Sequence, residues 1–287
     1  MTNASSPGTL YVVSTPVGNL GDFSFRAVDV LKSVALVLAE DTRHTRHLLE
    51  RYDIQTRLAS HHEHNEARTV AGLVERLAAG ESIALVSDAG TPVISDPGAH
   101  LVTEAHRAGL TVEPIPGPNA AIAALSASGL AEQSFLFLGF PPSRAKARLD
   151  WLTQLSTEPR VLVFYEAPHR IRLTLQDMLQ AFGDRVVALG RELTKAHGQL
   201  VVRPISGHLT GRLEERGEFT LVVKGLDDVK GPSTEVPPAD DLWLEFWQLT
   251  NNDGVSRREA IRTLSKRHRI SSRTVFASLE ERKKLVE

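Results

Sequence analysis

The sequence predicts an α/β fold of two domains with a small helical extension behind them. Short β-branched runs alternate with amphipathic stretches, the pattern of strand–helix units around a largely parallel sheet. Pro116-Gly117-Pro118 interrupts that alternation with a stiff turn. Residues 226–240 hold three prolines and few large apolar side chains, and helical patterns resume after them.

In order, residues 10–14, 34–39, 83–88 and 110–115 read as buried strands, and 25–32, 45–52, 66–79 and 99–108 as helices between them. A second set follows, with strands at 135–140, 161–165, 186–189 and 219–223 and helices at 119–128, 145–155 and 171–182. Residues 207–218 are mixed and read as a short connection. The expected organisation is an N-terminal α/β domain (1–116), a C-terminal α/β domain (117–226), a linker (227–240) and a basic extension (241–287). Helical patterns in the extension cover 241–249, 257–268 and 273–284.

The chain has 287 residues, 41% of them hydrophobic, and a formal net charge of −2. Near-neutrality excludes a bulk polyanion binder, so a nucleic-acid site has to be a local patch. There is no cysteine, which excludes disulfides, thiolate metal sites and a cysteine nucleophile. The first residues lack a basic-then-apolar signal pattern, and no apolar run is long enough to span a bilayer. The expectation is a cytoplasmic protein without a membrane partner.

Four strand ends carry unusual loops, and α/β sheets bind ligands beyond the carboxyl ends of their strands. Ser14 to Asp22 contains two glycines but matches neither a dinucleotide fingerprint nor a P-loop. Glu40-Asp41-Thr42-Arg43 places two carboxylates at a sheet end, where Asp41 or Thr42 can cap a helix and Arg43 can meet an anion. Ser87 to Gly98 packs two Gly, two Pro, two Asp and two Ser into twelve residues, which suggests a loop shaped around a ligand. Within it, Asp96 also suits a helix cap, with Pro97 at the first turn. Pro114 to Ala121 runs from a rigid turn into an alanine-rich helix.

Residues 60–66 carry three histidines and two glutamates. They lack the spacing of a helical zinc motif and have no partner cluster, so hydrogen bonding to a polar substrate is favoured and no metal is expected. Tyr165 to Arg170 and Arg191 to Lys195 place mixed charges at strand ends, as a polar site or as an ion-pair network. Nucleophile elbows are absent.

Taken together, STPVGNLGD (14–22), AEDTR (39–43), HHEHNE (61–66), SDAGTPVISDPG (87–98), PIPGPNA (114–120), FLFLGFPP (135–142), YEAPHR (165–170) and RELTK (191–195) resemble the tetrapyrrole methylase superfamily. Within it, they are most similar to the branch that methylates the 2′-hydroxyl of a cytidine in 16S ribosomal RNA. The resemblance covers about residues 10–225. It implies a two-domain tetrapyrrole-methylase-like fold, a homodimer, and S-adenosylmethionine held in a folded shape between the domains. Carried over, the cofactor would meet Ser87, Asp88, Ala89, Thr91, Ile94 and Ser95 on one side. On the other it would meet Pro118, Asn119, Ala120, Phe140, Pro141, Glu166 and Ala167. Two departures stand out. Asn119 replaces a customary serine and keeps a hydrogen-bonding group. Ala196-His197-Gly198-Gln199 occupies a stretch that in the family usually carries a glutamate pair nearby, leaving any role of that pair in doubt.

Methyl transfer from a sulfonium is an in-line displacement in which positioning can supply about 7–11 kcal/mol. A ribose hydroxyl is a poor nucleophile, so a base can add roughly 10²–10⁴-fold. Glu63, His64, Glu166 and Lys195 are the unranked candidates. Substrate contacts are expected from Pro16, Gly18, Asn19, Arg43, His61, Asn65 and Arg170. Residues 255–287 hold ten Lys/Arg against four Asp/Glu. Two short helices there, each preceded by serine, suggest a helix-turn-helix that binds RNA through Arg257, Arg258 and Arg273. The expected partner is 16S rRNA or the 30S subunit. The competing readings are a tetrapyrrole methylase, a methylase of protein side chains, and a non-catalytic RNA-binding protein on the same fold.

Overall fold

Alternation of small and large apolar side chains builds the first sheet. β1 (Thr9–Val13), β2 (Leu36–Ala39), β3 (Leu58–Ser60), β4 (Ile83–Val86) and β5 (Thr111–Ile115) lie in the order β3-β2-β4-β1-β5, every pair parallel. β2 and β4 are buried along their whole length, as expected of strands covered on both faces. Val37, Ala39, Ala84 and Val86 face α1 (Phe25–Ser33) and α2 (Thr42–Arg51). Leu36, Leu38, Ile83 and Leu85 face α3 (Glu63–Ala78) and α4 (Ala99–Arg107). The period of two in the strands thus serves two separate helix layers. The computed structural model describes residues 6–226, 237–251, 255–268, 270 and 272–284. Most of the expected linker (227–236) lies outside them, as does Ser271.

The second half reads α5 (Ala120–Ala127), β6 (Phe135–Phe137), α6 (Ala145–Gln154), β7 (Val161–Glu166), α7 (Ile171–Phe182), β8 (Val186–Arg191), β9 (Gln199–Pro204), α8 (Ile205–Thr210) and β10 (Phe219–Val223). Its sheet, β6-β7-β10-β8-β9, is mixed rather than largely parallel. Only β6 and β7, joined through α6, run parallel; the other pairs are antiparallel. The seven residues between β8 and β9 are too few for a parallel crossover, so those strands form a hairpin.

Both sheets belong to one compact unit, residues 1–224. The second unit, 225–287, contains α9 (Ala239–Asn251), α10 (Arg257–His268) and α11 (Ser272–Lys284), packed around Leu242, Phe246, Leu264, Val275 and Leu279. No helix among the described residues is long and apolar enough to cross a membrane.

Candidate active site

Because the first sheet is parallel, the loops after β1, β2, β4 and β5 all leave from one edge. Backbone and side-chain bonds stitch three of them together. The Thr15 N–H donates to the Gly90 carbonyl (2.8 Å), and the Gly90 N–H returns the bond to Thr15 (3.1 Å). The Thr15 hydroxyl donates to the Ser87 carbonyl (3.0 Å), the Ser87 hydroxyl to Gly90 O (3.1 Å), and the Thr91 hydroxyl to Pro118 O (3.2 Å). Gly90 has φ +86°, a conformation that glycine adopts without strain.

These loops and the second sheet enclose a cavity of about 350 Å³, within the range of small-molecule sites. Asp88, Ala89, Thr91, Ile94, Ser95 and Ala120 line it from the first-half loops and α5, and Phe140, Glu166 and Ala167 from the second half. Ser87, Pro118, Asn119 and Pro141 are not in the wall. Ser87 is buried and braces the turn behind it, and Asn119 caps α5 by accepting from the Ile122 N–H (3.1 Å). Its serine-like capping capacity fits the departure noted in the sequence. The wall also includes Val17, from the 16–21 loop expected to face the substrate, and Asp96, Tyr165, Pro168, Leu193 and Glu218 to Thr220, which were not assigned to the site from the sequence.

The wall is acidic on one side. Burial, reinforced by Glu40 and Asp88, pushes the Asp96 carboxyl up to about 7. Burial also raises Glu40, with Asp88, Asp41 and Glu63 adding to it and His62 opposing it. The expectation that Asp96 caps α4 is corrected: the cap is Gly98, and the Asp96 carboxyl is part of the cavity. Asp41 does cap α2, accepting from the Arg43 N–H (2.8 Å). Among the described residues, five non-glycine residues have positive φ, and four of them flank the cavity: Val93 (73°), Ser95 (67°), Glu192 (50°) and Thr194 (67°). Backbone strain of this kind gathers where a ligand site needs a fixed shape.

Several expected roles change once side chains are placed. The Glu166 carboxylate turns inward, accepting from the Ala167 N–H (2.7 Å), the Thr174 hydroxyl (2.5 Å) and Arg170 (2.7 Å). It shapes the turn rather than serving as a base, and Arg170 is its partner rather than a free substrate contact. Lys195 bridges Glu192 (2.9 Å) and Glu218 (3.4 Å). Burial alone would lower its pKa, but the Glu192 hydrogen bond and both carboxylate charges raise it, which favours the charged form of Lys195. His61 is 0% exposed, with Nδ1 3.3 Å from the Thr69 hydroxyl and Nε2 3.7 Å from Glu66, so it packs rather than reaching substrate. Asn65 accepts from the His62 N–H (2.9 Å) and donates to Ser60 O (3.1 Å), forming the start of α3.

Other candidates stay at the surface or in loop contacts. Glu63 and His64 are exposed in the first turn of α3. Arg43 is exposed and pairs with Asp41 (2.7 Å). Pro16 is buried, while Gly18 and Asn19 are exposed. A Cβ on Gly18 would stand 2.5 Å from Lys195 Cγ and 2.9 Å from Leu193 O, so this loop lies directly against the 192–195 loop. In the second unit, Arg257 pairs with Glu280 (3.1 Å), whereas Arg258 and Arg273 are exposed. Among the described residues, no group of three or more His, Asp or Glu side chains is arranged to hold a metal.

A parallel sheet whose loop edge faces a second, mixed sheet across a cavity is a fold suited to holding a small ligand between the two sheets. The family model for tetrapyrrole (corrin/porphyrin) methylases matches residues 9–208, and the chain belongs to that family, whose members take their methyl group from S-adenosylmethionine. The chain is 50% identical over 224 residues to "Ribosomal RNA small subunit methyltransferase I" of Vibrio cholerae serotype O1, covering 76% of this chain and 78% of that protein. It is 41% identical over 279 residues to the protein of the same name from Bacillus subtilis, covering 95% and 94%. Among solved structures, a Thermus thermophilus uroporphyrin-III-C-methyltransferase superposes with TM-score 0.51 at 20% identity, covering 76% of this chain and 92% of that one. A cobalt precorrin-4 methyltransferase superposes with TM-score 0.56 at 14% identity, covering 75% and 94%. Those two likenesses concern the fold.

Proposed function

We propose that the chain transfers a methyl group from S-adenosylmethionine to the 2′-hydroxyl of a cytidine in 16S ribosomal RNA, acting on the RNA or on the 30S subunit as a homodimer in the cytoplasm. The observation that carries the reading is the convergence of six of the eight motif segments, those at 14–22, 87–98, 114–120, 135–142, 165–170 and 191–195, on one loop system. It surrounds a cavity of about 350 Å³ in a chain 41% identical to a small-subunit rRNA methyltransferase over nearly its whole length. The residues present fit the cofactor. Ile94, Phe140 and Tyr165 offer apolar and aromatic surface for a nucleobase, Thr91 and Ser95 offer hydroxyls, and Asp88 and Asp96 offer carboxylates for cationic groups. When bound, the cofactor supplies an electrophilic methyl on a positive sulfur.

The chain's own residues position the acceptor and take its proton. A rigid frame suits that task, and the Thr15–Gly90 bridge and the strained 93–95 and 192–194 backbones supply it. With Glu166 and Lys195 committed to ion pairs, Glu63 and His64 are the remaining bases of the original four. Asp96 joins them, because a carboxyl titrating near 7 in the cavity wall is matched to proton transfer at neutral pH. The basic α10 and α11 hold the RNA backbone through phosphate contacts, with Arg258 and Arg273 exposed for the purpose.

Calorimetry with S-adenosylmethionine tests the site. Ala120→Trp, which projects a large ring into the cavity, should abolish the heat of binding while the melting curve stays cooperative. An unaltered isotherm would remove the cavity from the account. A tetrapyrrole substrate is not favoured by the relatives, and cofactor binding by the wild type would count against a non-catalytic RNA binder.

A further inference from the structure

The β8–β9 hairpin builds a second, smaller cavity outside the site described above. Its register pairs Arg191 with Gln199, Leu189 with Val201 and Val187 with Arg203. Directly opposed residues share a face of a sheet, so Arg191 and Arg203 project from the same side. With Arg212 from the segment after α8, they line a cavity of about 90 Å³ floored by Leu189 and Phe219. Phe219 borders the larger cavity as well. At about 90 Å³ against about 350 Å³ it is much smaller than the ligand cavity, which suits a small anionic group.

The three guanidinium groups are not locked into ion pairs, although the Glu192 carboxylate interacts electrostatically with Arg191. None takes part in any ion pair among the described residues, and Glu214, which also lines the cavity, does not come within pairing distance. Four other arginines of the second half do form ion pairs: Arg148 with Asp177 at 2.8 Å, Arg160 with Glu158 at 2.7 Å, Arg170 with Glu166 at 2.7 Å and Arg172 with Glu215 at 2.6 Å. Arg191 gives one bond to the His197 carbonyl (3.2 Å), while its Nε is buried without a partner. Arg203 lies along two glycines of α8 and its end, where a Cβ on Gly207 or Gly211 would stand 3.1 Å from its side chain. Buried His208 bonds through Nε2 to the Val187 carbonyl (2.9 Å) and forms part of the wall. Three arginines against the single carboxylate of Glu214 leave the cavity net positive, and an anion seated among them offsets their repulsion.

We infer that this cavity seats a backbone phosphate of the RNA substrate, held by Arg191, Arg203 and Arg212. The inference rests on the RNA-substrate reading above. It adds a phosphate contact on the methylase unit itself, separate from the basic helices of the second unit. Because Arg191 ends β8 and opens the 192–195 loop, a phosphate held there would tie RNA to the strand that leads to the cavity rim.

The test uses the full chain and a labelled 16S rRNA fragment, with affinity measured by anisotropy over a range of salt. Arg203→Gln/Arg212→Gln should weaken RNA binding about tenfold and lower the salt slope by about 0.9. S-adenosylmethionine affinity should be unchanged, showing an intact fold. Arg76→Gln/Arg160→Gln, which removes two arginines already paired with Glu81 and Glu158, should alter neither. Unchanged RNA affinity and slope in the cavity variant would overturn the inference. So would inorganic phosphate that binds the wild type and not the cavity variant while the RNA slope stays the same, since the site would then serve a free anion. Wild-type protein that fails to bind the RNA at all would overturn the functional reading instead.

Discussion

Replacing Asp96 with asparagine should stabilise the cofactor-free protein in a pH-dependent way. Burial raises its carboxyl from the ordinary 3.8 to about 7, with Glu40 and Asp88 adding repulsion and the Ser87 hydroxyl opposing it. The folded chain therefore binds this proton more tightly than the unfolded chain does. The associated stability is fully present below pH about 4 and is lost as pH rises through about 7. A difference of about 3 in pKa, at about 1.4 kcal/mol each, amounts to about 4 kcal/mol as a ceiling. Solvent reaching the cavity screens part of it, leaving about 2–4 kcal/mol. The amide of Asp96→Asn carries no charge at any pH and escapes the loss. Thermal melts in matched buffers from pH 4 to 8 should show the variant and wild type converging at the acid end. At pH 8 the variant should melt roughly 5–10 °C higher. A difference that is constant with pH, or a variant that loses ground as pH rises, would refute the assignment of Asp96 as a buried carboxyl under repulsion.

In the same pH range, wild-type affinity for S-adenosylmethionine should increase as Asp96 ionises, because a cationic ligand favours the charged carboxylate, and Asp96→Asn should show a flatter calorimetric profile. Asp177→Ala leaves Arg148, which is 2% exposed, without its partner and should cost about 3–5 kcal/mol in denaturant melts. Glu166→Gln should weaken cofactor binding in calorimetry by reshaping the Ala167 turn, while Glu63→Gln, remote from that turn, should leave it unchanged. Removing residues 240–287 should weaken binding of 16S rRNA and flatten its salt dependence in anisotropy titrations.

The first sheet was readable because β2 and β4 are unbroken apolar runs and their helices are strongly amphipathic. β3 was not, since Leu58–Ser60 is three residues long at an edge. β9 was missed because Gln199 and Arg203 are exposed on an edge strand that ends in Pro204, and α8 because it has six residues and an internal glycine. The loops around the larger cavity were legible as dense clusters of glycine, proline and small polar residues. The chemistry of individual side chains was less so. Sequence position cannot tell that the Glu166 carboxylate bonds to Thr174 although the residue borders the cavity. Nor does the 61–66 segment reveal that His61 is buried and His64 exposed. Asp96 was visible but read as a cap, because Asp-Pro before a helix is a common start signal. Its burial near Glu40 depends on two loops 56 residues apart in sequence.

The central claim is the transfer of a methyl group to a ribose hydroxyl of small-subunit RNA. It is tested most directly by incubating the protein with labelled S-adenosylmethionine and under-methylated 30S subunits, free 16S rRNA or porphyrin precursors, then digesting the labelled product to nucleosides. The account predicts label in 2′-O-methylcytidine from the 30S or 16S sample and none in the porphyrins. Label on a base, in a porphyrin or in ribosomal protein would contradict it.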